Sequence, residues 1–256
     1  MDSASRKKKL GHLLELAFLL ALVLPPLVQS MAVLLATDND TADSLAGIMS
    51  PQFSTTLLQG ALAVALFVRS RSLRLLEGIP LSEGRRGAEH SGGQKKGWKG
   101  RLTGRWGRLA ATVVALAVLL ANSLLWNWLS QLGAPPNPTF RENGDMAVQT
   151  VALLLAYTAV AAFYEEMVYR WYSPLLLGQV LDWKGRGLNQ CPRVCMEGAL
   201  VVVFALSHGY GGWPAVGNAF VAGSILRACI LLTDNPFSGF AAHLVYNLIQ
   251  LFLLLG

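Results

Sequence analysis

Three hydrophobic stretches of this 256-residue chain carry ionisable or strongly polar side chains. The first holds Glu165, Glu166 and Arg170, the second Phe204 and His208, and the third His243 and Asn247. A charge at bilayer depth costs about 3 kcal/mol on insertion scales, so each of these residues calls for a reason. Neighbouring helical residues lie about 100° apart, so the two glutamates cannot share a face. Glu166 and Arg170 are spaced i,i+4 and are expected to pair, which leaves Glu165 without a local cation. His208 ends an apolar run at Gly209-Tyr210-Gly211-Gly212, where the glycines are expected to break the helix. His243 and Asn247 are again i,i+4 and face one way. A carboxylate that takes a proton from water, with imidazole and amide donors for an oxyanion, is the equipment of amide hydrolysis.

Each group also has a plain structural use. A Glu/Arg cluster anchors a helix end, a terminal histidine caps one, and a His/Asn pair joins two helices for about 1 kcal/mol. Depth separates these readings. At 1.5 Å per residue, Glu165 and His243 are each expected roughly 8 Å inside their helices and His208 roughly 16 Å. Three groups at the cytoplasmic half of a bilayer favour one water-filled cavity. Glu15 and Arg227, near span ends, are expected to reach water, Arg227 by snorkelling.

The elements that position these residues are spans. Hydrophobic residues make up 53% of the chain and charged residues 14%, with a mean hydropathy of +0.44. Soluble domains carry about 25% charge, which excludes that class here. Three cysteines exclude a disulfide framework. Runs of about 20 apolar residues mark spanning helices, and they fall at Leu10–Ala36, Phe53–Val68, Leu109–Leu129, Ala147–Tyr169, Glu197–His208, Ala215–Leu232 and Ser238–Leu255. Trp171–Leu181 adds an eighth, re-entrant or interfacial element. The fold class is therefore all-α: a polytopic membrane helix bundle of seven to eight spans. The first run is too long for a signal peptide and is read as an uncleaved span, kinked at Pro25 and Pro26.

Charge orients the bundle. Eighteen of the 21 basic residues lie before the first span, between Arg69 and Arg108, or within Trp171–Met196. The intervening loops hold Arg141 alone among bases, with Asp38, Asp40, Asp43, Glu142 and Asp145. This is the positive-inside pattern, and it places the N-terminus in the cytoplasm. The net charge of +6 thus reports topology, and no nucleic-acid partner is expected. The Gly84–Gly107 stretch reads as a flexible linker able to rest on anionic headgroups. The chain divides into an N-terminal pair of spans (1–68), a basic cytoplasmic loop (69–108), a third span with its outer loop (109–146) and a core (147–256). Asn39-Asp40-Thr41 is a glycosylation sequon in an expected outer loop, too common to decide anything. Cys191 and Cys195 are too few for a zinc knuckle, and Cys229 is expected to pack.

Taken in order, Glu165-Glu166…Arg170, Phe204…His208 and His243…Asn247 resemble the EExxxR, FxxxH and HxxxN motifs of the CAAX-protease and bacteriocin-processing (CPBP, or Abi) intramembrane endopeptidases. The resemblance covers residues 147–256. It implies a helical membrane peptidase with a cytosol-facing cavity. Glu165 would be the general base, His208 its partner on the water, and His243 and Asn247 the oxyanion donors. Glu166, Arg170 and Phe204 would support them. The substrate implied is a peptide or a lipidated protein.

Other readings stay open at this stage. Two carboxylates and two histidines form a zinc-binding set, although HExxH is missing; the expectation is a reaction without cofactor, with zinc as the alternative. A proton-coupled transporter would use the same cluster as a relay, but no internal repeat accompanies it. Some members of the broad family are non-catalytic scaffolds or bacteriocin immunity proteins. The membrane expected is the bacterial inner membrane, with the endoplasmic reticulum or another endomembrane as the alternative.

Overall fold

The computed structural model describes residues 3–35, 53–76, 102–131, 148–181 and 190–255. The expected outer loops, the sequon, the basic stretch from Arg85 to Arg101, Lys184 and Arg186 lie outside the described residues, as does the side chain of Cys191. Every described element is helical. In chain order they are α1 (Ser3–Leu35), α2 (Phe53–Leu76), α3 (Arg105–Gln131), α4 (Val148–Glu165), a π-helical segment (Glu166–Tyr172), α5 (Ser173–Val180), α6 (Gln190–Leu206), a 3₁₀ turn (Gly209–Gly211), α7 (Gly212–Thr233) and α8 (Pro236–Leu255).

Five stretches are long and apolar enough to cross a membrane: Leu10–Leu35, Arg105–Leu129, Val151–Val180, Gly209–Thr233 and Pro236–Leu253. Leu14, Val28, Leu124 and Leu253 are among the large apolar side chains exposed along them. Water would not tolerate so much exposed apolar surface, whereas hydrocarbon does. The chain is an integral, multi-pass membrane protein. α2 and α6 are helical too. The last turns of α2 carry Arg69, Arg71 and Arg74, and α6 is 17 residues long.

One expectation is overturned. The fourth run does not end near Tyr169, and Trp171–Leu181 is no separate element. The helix passes from α4 through the π-helical segment into α5, reaching Val180. The glutamates therefore sit mid-span; from Glu165 onward the helix runs for roughly 20 Å at 1.5 Å per residue. Residues 166–173 are all buried, so this stretch has no solvent-facing side on which to stop.

The chain forms two compact units. The first comprises Met1–Gln52, Asn122–Asp145 and Tyr172–Ser224. Within it α1 packs on α5, α6 and the 3₁₀ turn. Tyr172 donates its hydroxyl proton to Glu15 at 2.8 Å, so the partly exposed Glu15 carboxylate is also tied to the protein. The N–H of Tyr210 bonds Ser30 Oγ at 3.0 Å. Gly209 lets the turn approach closely, since a Cβ there would lie 3.0 Å from the carbonyl oxygen of Ser30. α1 remains helical across Pro25 and Pro26.

The second unit comprises Phe53–Ala121, Met146–Trp171 and Ile225–Gly256. Here α4 packs between α2 and α8. Aromatic rings join the three helices: Phe67 meets Phe237 edge-on at 5.3 Å, Phe163 stacks on Phe237 at 6.4 Å, and Phe163 meets Phe240 edge-on at 5.2 Å. Such pairs add about 0.5–1.5 kcal/mol beyond the area they bury. They fix the two helices that carry Glu165 and His243.

Candidate active site

The acidic pair falls where α-helix gives way to π-helix. Glu165 is the last residue of α4 and Glu166 the first of the π-helical segment. π-helical turns are rare and often mark functional positions, because the wider turn disturbs the backbone ladder and frees carbonyls. The carbonyl of Arg170 accepts a hydrogen bond from Arg227 Nη1, so Arg227 binds the backbone of this segment where snorkelling was expected.

The two glutamates have different surroundings. Glu166 is fully buried, and its Oε1 accepts a hydrogen bond from Arg170 Nη1 four residues on, as the spacing required. The same oxygen contacts His243 Nδ1 at 2.9 Å. An ionised carboxylate only accepts, so Nδ1 carries the proton and donates it. That bond turns the other nitrogen of His243 towards Glu165, with Nε2 3.8 Å from Oε2. The Glu165 side chain keeps 25% of its exposure, against 0% for Glu166. One glutamate is thus structural and locked, the other reachable.

Oε2 of Glu166 has no hydrogen-bond partner among the described residues. It faces the backbone of α8 at Gly239, where a Cβ would lie 2.9 Å away. A glycine is required there for α8 to approach the carboxylate. Asn247 follows His243 by one turn on α8 and is half-buried.

His208 and Phe204 belong to the first unit and are described within it. α6 ends at Leu206, and His208 leads into the 3₁₀ turn, so the glycines do break the helix there. His208 Nδ1 lies 2.9 Å from the carbonyl oxygen of Phe204, and its ring is 4.6 Å from the Phe204 ring. A carbonyl only accepts, so Nδ1–H donates and Nε2 is left with its lone pair for chemistry. Phe204 thereby fixes both tautomer and ring position.

Of the residues expected at the site, Glu165, Glu166, Arg170 and His243 come together in the second unit. His208 and Phe204 contact each other within the first. No group of three His, Cys, Asp or Glu side chains among the described residues is arranged to hold a metal ion. Cys195 is exposed and Cys229 buried, and both are free thiols. Sequence reading missed Gly239, which looks like any small residue in an apolar run. It also missed the contact made by Arg227, because nothing local marks which carbonyl a π-helical turn releases.

Comparison with known families identifies residues 147–249 with the model described as type II CAAX prenyl endopeptidase Rce1-like. The matched stretch is less than half of the chain and contains all seven motif residues. Comparison with curated proteins and with solved structures returns no match. The segment that carries Glu165, His208 and His243 is thus similar to the Rce1-like type II CAAX prenyl endopeptidases.

Proposed function

We propose that this protein is an intramembrane endopeptidase that hydrolyses a peptide bond with water activated by Glu165, and that its substrates are prenylated CAAX-type peptides or related membrane peptides. The observation that carries the reading is the partly exposed Glu165 carboxylate facing Nε2 of a histidine whose other nitrogen is locked by a buried Glu–Arg pair. Glu165 takes a proton from water as the oxygen attacks the carbonyl carbon. It returns that proton to the leaving nitrogen as the tetrahedral intermediate collapses. His208, with Nδ1 engaged by Phe204, assists through Nε2. His243 and Asn247 face the developing oxyanion. Glu166, Arg170 and Phe204 hold the geometry. Neither cofactor nor metal enters this reading.

The positive-inside pattern puts the N-terminus in the cytosol, with α2 and α6 completing a set of seven spans. The bacterial inner membrane is the compartment proposed, with an endomembrane second.

The test offers purified protein in detergent farnesylated CAAX peptides and a panel of membrane peptides. Glu165→Gln is expected to lower kcat by about 10²–10⁴-fold, the usual worth of a general base. His208→Ala is expected to fall in the same range, and chelator to change nothing. Cleavage that survives Glu165→Gln removes the base assignment. Loss of cleavage with chelator, restored by Zn²⁺, makes the reaction a metal-dependent one. Proton flux without cleavage, abolished by the same substitutions, assigns the cluster to transport.

A further inference from the structure

We infer that Arg74 is a positioning residue for the Glu165/Glu166–His243 group, clamping the end of the glutamate-bearing segment to the elbow from which the His243 helix begins. Its guanidinium carbon lies 4.0 Å from the centroid of the Trp171 ring, and Nη2 donates to Asp234 Oδ1 at 2.8 Å. The Arg74 side chain keeps 10% of its exposure and Asp234 41%, so the cation is drawn inside against the indole face. A planar guanidinium stacks on a ring and bonds a carboxylate at the same time, which an ammonium does less well.

Trp171 is gripped at its edge as well. Its Nε1–H donates to Ser70 Oγ at 2.8 Å, and the Ser70 hydroxyl donates to the carbonyl of Phe67 at 2.6 Å. Ser70 and Arg74 stand one turn apart on α2, so one helix holds both edge and face of the indole. Trp171 directly follows Arg170 in the π-helical segment. Movement of the indole therefore passes straight to the Arg170–Glu166 pair.

Asp234 is the other end of the clamp. It lies between α7 and α8 with φ of 49°, and its N–H closes onto the carbonyl of Ile230 at 2.8 Å. Asn235 Oδ1 then accepts from the N–H of Phe237 at 3.2 Å, starting α8. From Pro236, where α8 begins, to His243 is roughly 10 Å of helix at 1.5 Å per residue. Between clamp and site lies the ring cluster of Phe67, Phe163, Phe237 and Phe240. Arg74 thus closes the end of the wedge whose other contact is the Glu166–His243 hydrogen bond.

The kinetic arm of the test rests on the peptidase reading; the exchange arm does not. Full-length protein in detergent is prepared as Arg74→Met, Asp234→Asn, the double variant and Arg74→Lys. Each single variant is expected to lower kcat about tenfold with KM within about twofold, the pattern of a lost transition-state geometry. The double variant is expected to fall no further than Arg74→Met, because both substitutions break one contact. Arg74→Lys, which keeps the ion pair, is expected to recover to within about threefold of wild type. Amide exchange over residues 166–172 is expected to quicken about tenfold in Arg74→Met, while that of α6 stays at the wild-type rate. Unchanged exchange at 166–172, an unchanged kcat, or multiplicative losses in the double variant would overturn the clamp. A wild type that cleaves none of the peptides speaks against the peptidase, and the exchange rates still decide the clamp.

Discussion

Gly239→Ala sets two effects of known size against each other. Alanine in a helix interior is favoured over glycine by about 1 kcal/mol, so propensity alone predicts a more stable protein. At Gly239, however, the new Cβ would lie 2.8 Å from Ile230 Cγ1 and 2.9 Å from Glu166 Oε2. Carbon atoms settle about 3.5–4.0 Å apart, so Ile230 has to withdraw by about 0.7 Å or more. Overpacking of this kind costs about 1–3 kcal/mol, which exceeds the propensity gain. The net expectation is a loss of about 1 kcal/mol, or a thermal midpoint lower by about 2–4 °C in a chain of this size. The displaced carboxylate is the one that positions His243. A misplacement of 1 Å costs about 10²-fold in rate, so a shift of a few tenths of an ångström is expected to lower kcat by about 3–10-fold. Gly198→Ala is the control, because no atom lies within 4 Å of its Cβ. There propensity acts alone, and the midpoint is expected to rise by about 2–4 °C. Melting in detergent and peptide cleavage read both variants. Gly239→Ala melting above wild type with undiminished kcat would refute the close approach of α8 to Glu166.

Three further outcomes follow from buried groups. Arg170→Met leaves the Glu166 carboxylate inside the protein with its cation removed, a loss of about 3–5 kcal/mol. The double variant Arg170→Met/Glu166→Gln removes both charges and is expected to recover most of it, read as the fraction of monodisperse protein and its melting midpoint. Tyr172→Phe deletes the donor to Glu15 and is expected to cost about 1 kcal/mol, with Glu15→Gln costing less because an acceptor remains; unfolding midpoints in a mixed detergent series decide the order. Phe204→Ala frees the His208 ring and is expected to cost about 3 kcal/mol where the phenyl is buried. It should lower kcat as well, and a normal kcat in a properly folded variant would remove Phe204 from the supporting group.

Much of the site was legible because it is written in short spacings. An i,i+4 separation on a helix is a distance, so the Glu166–Arg170 pair and the different directions of Glu165 and Glu166 could be stated from the sequence. A glycine cluster after an apolar run is a helix end, and His208 stands at one. Hydrophobic composition and run length likewise identified a helical membrane protein, since only satisfied backbone survives in hydrocarbon. The boundary of the fourth span was not legible. A Glu-Glu…Arg-Trp-Tyr stretch reads as an interface, and only neighbours from elsewhere in the chain bury it on all sides.

By itself the sequence determined the helical class, the acidic pair with its cation, and the residue types available for hydrolysis. Tertiary structure alone decided that His243 donates to Glu166 and turns Nε2 to Glu165, that Gly239 makes room for the carboxylate, and that Arg227 and Arg74 hold the π-helical segment. The physical reason is range. Helical periodicity fixes which side chains share a face over one or two turns. Which face meets which depends on the packing of helices tens of residues apart, and no local spacing records that.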